Sequence, residues 1–171
     1  SALFNSSSES LEKAQENKYK NICKNINPKP EDHILEIGCG WGGFMEYAIK
    51  HHNVKVTGLT ISKAQHDFTK KRLFEAGLSE RAKVVLTDYR NQKGQFDGIA
   101  SIEMFEAVGE KYWPVYFNSL KNLMKNGAKS TLQIITISDD LFPEYRKRVD
   151  FIQKYIFPGG MLPSKKALEK Q

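Results

Sequence analysis

The sequence predicts an α/β fold, a doubly wound and mostly parallel sheet with helices on both faces, on three observations. Short apolar bursts alternate with longer stretches of helical period, a glycine-rich run follows the first burst, and glycines close two of the helical stretches. The first element is a helix over about residues 10–25. Leu11, Ala14, Tyr19, Ile22, Cys23 and Ile26 fall near one of its faces, with Ser8 or Ser10 as N-cap. Asn27-Pro28-Lys29-Pro30 stops that helix, and His33-Ile34-Leu35-Glu36-Ile37 runs into Gly38 as a strand runs into a turn. Further strands are expected at 55–59, 82–87, 96–102 and 129–137. The helices between them are expected at 43–50, at 63–76 closed by Gly77, and at 112–125 closed by Gly127. Past the fifth strand, 141–156 reads as helix. Pro158-Gly159-Gly160-Met161-Leu162-Pro163-Ser164 reads as a turn whose Ser164 caps a last helix, cut at Gln171.

A length of 171 residues suits one domain, and 40% hydrophobic with 27% charged residues suits a globular one. No run approaches the roughly 18 apolar residues of a membrane span, and residues 1–10 lack a signal-peptide layout, so the expectation is a soluble, cytoplasmic protein. Cys23 and Cys39 are too few for a disulfide framework. His33, His51, His52 and His66 have no metal-ligand spacing, which argues against a metal enzyme. With 26 basic against 20 acidic residues the net charge is +6, favouring nucleic acid, phospholipid headgroups or an anionic cofactor as partner.

Glu36-Ile37-Gly38-Cys39-Gly40-Trp41-Gly42-Gly43 joins the first strand to its helix, where glycines permit tight geometry and close approach of a ligand to the helix N-terminus. An ordinary tight turn is the alternative. A dinucleotide would want an acidic residue at the end of the second strand, but that strand ends Gly58-Leu59-Thr60. S-adenosylmethionine, with its sulfonium and amino group, would instead use an acid inside the first strand, and Glu36 is there; a carboxylate bonded to backbone amides is the structural alternative.

With these residues in view the chain resembles the Rossmann-like class I S-adenosylmethionine-dependent methyltransferases, and within them the cyclopropane-fatty-acyl-phospholipid synthase family. The matching segments are Leu35-Glu36-Ile37-Gly38-Cys39-Gly40-Trp41-Gly42-Gly43-Phe44, Gly58-Leu59-Thr60-Ile61-Ser62-Lys63-Ala64-Gln65, Asp88-Tyr89-Arg90, Glu103-Met104-Phe105-Glu106-Ala107-Val108-Gly109 and Lys154-Tyr155-Ile156-Phe157-Pro158-Gly159-Gly160-Met161-Leu162-Pro163-Ser164. The first marks the superfamily; the second, fourth and fifth together mark the branch. The resemblance implies that Glu36, Gly38, Cys39, Gly40, Trp41, Gly42 and Gly43 cradle the methionine part of S-adenosylmethionine. It implies that Thr60, Ser62 and Gln65 serve the ribose, and that Asp88, Tyr89 and Arg90 border the adenine. Helix capping by Thr60, a solvated Gln65 and a turn closed by Asp88 are the plain alternatives.

In that family the cofactor's methyl group goes to a cis double bond of a phospholipid acyl chain, a base removes a proton and the ring closes. Aromatic faces suit the cationic step, with Tyr89, Phe105, Trp113, Tyr116, Phe117, Tyr155 and Phe157 as candidates; core packing is their commoner role. The family holds bicarbonate as base, and Glu106 matches the glutamate that helps bind it, whereas Glu103 reads as a solvated charge. Two departures stand out. Ala107 replaces a histidine that follows that glutamate in some members, and a fifth-strand histidine of another aligns with Ile135. Gln133, two residues earlier on the same face, is the catalytic substitute we expect.

The resemblance also matches Ser1-Ala2-Leu3-Phe4 to the end of a segment that closes over the cofactor, although Ser1 and Ala2 could equally be remnants of a tag. The superfamily sheet has seven strands and five are legible here. The expectation is therefore one S-adenosylmethionine-binding methyltransferase domain over residues 1–171 that lacks its C-terminal strands and helices, and that binds cofactor but turns over slowly or not at all. A phospholipid substrate implies transient contact with a membrane surface, for which Lys70-Lys71-Arg72 and Arg146-Lys147-Arg148 are candidates. Methylation of an acyl chain or other small molecule without ring closure is the alternative activity. A noncatalytic binding module is another reading, and no nucleic-acid recognition motif is present.

Overall fold

Ser10 begins the first helix, α1 (Leu11–Ile26), its hydroxyl accepting the Lys13 amide at 3.2 Å, and Asn27 ends it in the left-handed region at φ 56°. The computed structural model describes residues 2–149, 151–156 and 158–171. Ala14, Lys18, Ile22, Cys23 and Ile26 form the buried stripe of α1. After it come β1 (His33–Ile37), α2 (Gly43–His52), β2 (Lys55–Thr60), α3 (Lys63–Glu75), β3 (Ala82–Leu86), β4 (Phe96–Ile102), α4 (Trp113–Leu123) and β5 (Met124–Gln133). The chain ends in short pieces: α5 (Phe142–Tyr145), a π turn over Ile152–Ile156 and α6 (Lys165–Leu168).

The strands form one parallel sheet of order β3-β2-β1-β4-β5. β1 is central, and Ile34 to Ile37 are buried as a strand covered on both faces requires. Its side chains alternate between two packed layers. Ile34 joins Ile22, Cys23, Phe44, Met45 and Val56 under α1 and α2, while Leu35 and Ile37 join Ile99, Phe105, Trp113, Tyr116 and Leu120 under α4. Glu36 shares the parity of Ile34 and so lies on the α1/α2 side of the sheet. Because the winding reverses between β1 and β4, their C-terminal ends open the crevice in which ligands of such sheets bind.

Three expectations need correction. The fourth helix stops at Leu123 rather than 125, because Met124 already pairs with Phe96; the register then jumps to Gly98↔Lys129, so Gly127 (φ +80°) turns a bulge instead of closing a helix. β5 ends at Gln133, so Ile134 to Ile137 are not strand, and Ile135 is 51% exposed beyond it. The helix expected over 141–156 is broken into α5 and the π turn. Leu141, Val149, Phe151, Tyr155 and Ile156 stay exposed, so among the described residues no continuous apolar stripe is buried to hold a long helix.

Candidate functional site

Glu36 is the unusual residue of the crevice. It is 2% exposed, its Oε2 has no hydrogen-bond partner, and burial pushes its carboxyl well above the usual carboxylate range, with Lys18 pulling it back. Lys18, buried on α1, feels both Glu36 and Glu103, and burial lowers its own pKa against their pull. The alternative of a carboxylate satisfied by backbone amides does not hold for Oε2. A buried acceptor without a donor fits a cationic ligand group, as the amino group of S-adenosylmethionine requires.

The glycine loop lies directly above. Gly38 has φ +81°, and a Cβ there would meet Met104 Cγ at 2.6 Å, so close packing and conformation both demand glycine. The Gly38 and Cys39 amides are taken by the Leu59 carbonyl at 3.0 and 2.8 Å, and the Cys39 side chain is buried, its thiol pushed up to about 12 by burial. Gly40 (φ +52°) has open space where a side chain would stand, and with Trp41 it forms the part of the loop free to face a ligand. The Gly42 amide closes the turn onto Cys39, and Gly43 starts α2. Trp41 is 53% exposed, packed edge-on against Phe68 at 5.2 Å.

At the end of β2 the expected trio is brought together. The Thr60 hydroxyl donates to Gln65 Oε1 at 2.8 Å and accepts from the Ser62 amide at 3.1 Å, while Ser62, not Thr60, caps α3 by accepting the Gln65 amide. Thr60 is thus committed internally, and Gln65 Nε2 is the donor left over. Ile61, 80% exposed between them, adds an apolar wall absent from the expected set. Asp88 caps a 3-10 turn over Tyr89–Asn91, and two side-chain bonds from Arg90, at 2.9 and 2.7 Å, hold its carboxyl below the usual range. Tyr89, half-buried, meets Tyr116 edge-on at 5.3 Å.

The carboxylates beyond β4 are arranged differently from expectation. Glu106 lies in the 3-10 turn Phe105–Ala107; its Oε1 accepts the Ile135 amide at 2.5 Å, and its Oε2 is buried without a partner. Gln133 does not reach Glu106. Its Nε2 donates to Glu103 Oε1 at 3.0 Å, and the Glu103 amide donates to the Gln133 carbonyl at 2.8 Å. Glu103 is therefore a half-buried, bonded residue at φ +52° and not a solvated charge. Ile135 shares no strand face with Gln133; it contributes its amide past the strand end.

The aromatic candidates divide. Phe105, Trp113 and Tyr116 are core, Phe117 packs against them, and Tyr155 lies 61% exposed beside Phe151. Phe157 and Ser1 lie outside the described residues. The basic runs are largely engaged: Lys71 with Glu75, Arg72 with Glu46, Arg146 with Glu110 and Lys147 with Glu144. No helix among the described residues is long and apolar enough to cross a membrane.

The family model described as mycolic acid cyclopropane synthetase matches residues 1–171. The tuberculostearic acid methyltransferase UfaA1 of Mycobacterium tuberculosis is 37% identical over 158 residues, 92% of this chain and 37% of that protein. The cyclopropane-fatty-acyl-phospholipid synthase of Escherichia coli is 40% identical over 158 residues, 91% of this chain and 39% of that protein. The chain thus spans well under half the length of these relatives. Among solved structures, mycolic acid cyclopropane synthase CmaA1 complexed with SAH and CTAB has a TM-score of 0.87 at 26% identity, covering 99% of this chain and 62% of that one. The five-stranded parallel sheet is that of the Rossmann-like class I methyltransferases.

Proposed function

The chain belongs to the mycolic acid cyclopropane synthetase family, and from that premise we propose that residues 1–171 bind S-adenosylmethionine in the β1–β4 crevice as the methyl-transfer core of a lipid acyl-chain enzyme. The observation that carries this reading is the buried, unpartnered Glu36 Oε2 beneath a glycine loop. When bound, the cofactor supplies an electrophilic methyl group. Glu36 holds its amino end, Gly40 and Trp41 offer free loop amides, Gln65 Nε2 donates to the ribose, and Ile61 with Tyr89 flanks the adenine beside the Asp88–Arg90 pair.

The acceptor is the cis double bond of an unsaturated phospholipid acyl chain. Glu106, anchored by the Ile135 amide, keeps Oε2 available as an acceptor, and it would hold a bicarbonate hydroxyl there to supply the base. Loss of a proton from the added methyl closes a cyclopropane, whereas loss from a neighbouring chain carbon gives a methyl-branched alkene, and a hydride shift followed by loss from the methyl gives a methylene product. The second outcome is kept because UfaA1, named a methyltransferase, is about as similar to this chain as the synthase. These products have equal mass, so proton NMR of the recovered acyl chains distinguishes them. The enzyme would work peripherally at the cytoplasmic membrane surface.

Calorimetric titration of the chain with S-adenosylmethionine, with a nicotinamide dinucleotide as control, tests the cofactor reading. Saturable binding of the former alone is expected. Binding of the dinucleotide alone, or of neither, refutes it.

A further inference from the structure

The mechanism above leaves Glu103 without a task, yet the backbone holds it under strain. Of the four described non-glycine residues with positive φ, Asn27 and Asn53 end helices and Glu31 sits in a turn. Glu103, at φ +52°, stands just past β4 at the crevice mouth. That conformation costs about 1–2 kcal/mol for a residue with a side chain. Its carboxylate takes the Gln133 amide hydrogen, which turns Gln133 Oε1 away from it, and it lies within electrostatic reach of Lys18, as Glu36 does. One acid within β1 and one just past its neighbour β4 thus share Lys18 as a charged neighbour, and the deeper of them keeps a buried, unpartnered oxygen.

The two acids occupy different stations. Glu36 lies within β1 under the glycine loop, whereas Glu103 lies beyond β4 beside Gln133 and in the same loop as Glu106. Gly38 of the loop packs against Met104, so Glu103 stands beside the residue that meets the glycine loop, and Glu106 follows in the next turn. Resting on the S-adenosylmethionine reading, we infer that Glu103 is a specificity residue that recognises the positive sulfonium and so separates the methyl donor from its neutral demethylated product. Methyl transfer removes that charge, so the same residue favours release of S-adenosylhomocysteine once the transfer is made. Glu36, facing an amino group common to donor and product, does not discriminate.

The test is titration of the 171-residue chain with S-adenosylmethionine, S-adenosylhomocysteine and sinefungin, a neutral-sulfur-free analogue that carries an amine in place of the sulfonium. The wild type is expected to bind the two cationic ligands more tightly than S-adenosylhomocysteine. Glu103→Gln is expected to weaken the cationic ligands by about tenfold, the scale of one partly buried charge, and to leave S-adenosylhomocysteine unchanged. Glu103→Gly, which also relieves the strained φ, is expected to behave alike, and Glu36→Gln to weaken all three together. Glu75→Gln, on the outer end of α3, serves as a charge control that leaves every affinity in place. Equal loss for all ligands in both Glu103 variants, or an unchanged ratio, overturns the inference while the cofactor reading stands. Failure of the wild type to bind any of the three overturns both.

Discussion

Replacing Glu36 by glutamine tests the central electrostatic feature without altering its shape. In the ligand-free fold the carboxyl is buried, carries an oxygen with no donor, and has its pKa raised by burial, with Lys18 opposing. In the unfolded chain it titrates near 4.5. Since the folded state holds the proton to higher pH than the unfolded state, this residue's contribution to stability is full below about pH 4.5 and is lost as pH rises toward the folded pKa. Glutamine carries no such liability. Burying an ionised carboxyl without a donor costs more than burying a neutral amide in the same place, so Glu36→Gln should stabilise the ligand-free chain at pH 7.5 by about 1–3 kcal/mol. For a chain of this size that is about 2–10 °C in Tm. The gain should shrink as pH falls toward 5, since the wild-type carboxyl is then neutral in both states. Differential scanning fluorimetry from pH 5 to 8 reads both quantities. A variant less stable at pH 7.5, or a Tm difference independent of pH, would refute the reasoning, and the first would mean that Lys18 depends on the Glu36 charge more than burial penalises it. Saturating S-adenosylmethionine should reverse the order, because a ligand bound more tightly by the folded wild type than by the folded variant adds more stability to the wild type by mass action.

Gly58→Ala should destabilise by about 1–3 kcal/mol in urea unfolding, since its Cβ would stand 2.4 Å from Met45 Sδ and 2.8 Å from Cys39 Cβ in a filled layer. Phe105→Ala should cost about 3–5 kcal/mol of stability, checked by the same unfolding curve, because the ring is packed among Trp113, Tyr116 and Phe117 rather than presented to substrate. Cys23 and Cys39, both buried with thiols pushed up to about 12, should resist a maleimide at pH 7.5 and label only on denaturation. Prompt labelling of either in the native protein would contradict the packing under α1 and α2.

The alternation of apolar bursts and helical stretches made the central sheet legible, because a strand buried on both faces leaves a run such as Ile34-Leu35-Glu36-Ile37 that little else produces. The glycine loop and the grouping of Thr60, Ser62 and Gln65 at the end of β2 were legible for the same local reason: they depend on residues close in sequence, although the bond between Thr60 and Gln65 was not foreseen. Glu103 was misread because its partners, Gln133 and Lys18, are distant in the chain, and no local pattern announces a strained φ. Ile135 was placed on a strand because its neighbours are β-branched, yet the ladder ends where β4 ends, at the Ile102↔Gln133 pair. The aromatics near Phe105 carried no signal that separates a core ring from a substrate wall, since both require the same residues at helical spacing.

The reversal of winding between β1 and β4 also governs how the protein is made. Parallel neighbours cannot be joined by a tight hairpin, and the Ser101 hydroxyl reaches the Ile37 carbonyl across 64 positions of chain. The β1, β2 and β3 half can zip up through local crossovers, but the crevice needs β4 to insert against β1 after that long loop has closed. Binding competence should therefore emerge as a late, slow event in refolding, trailing the recovery of helical signal, and any species arrested with β4 undocked would expose the central strand β1 as an open edge.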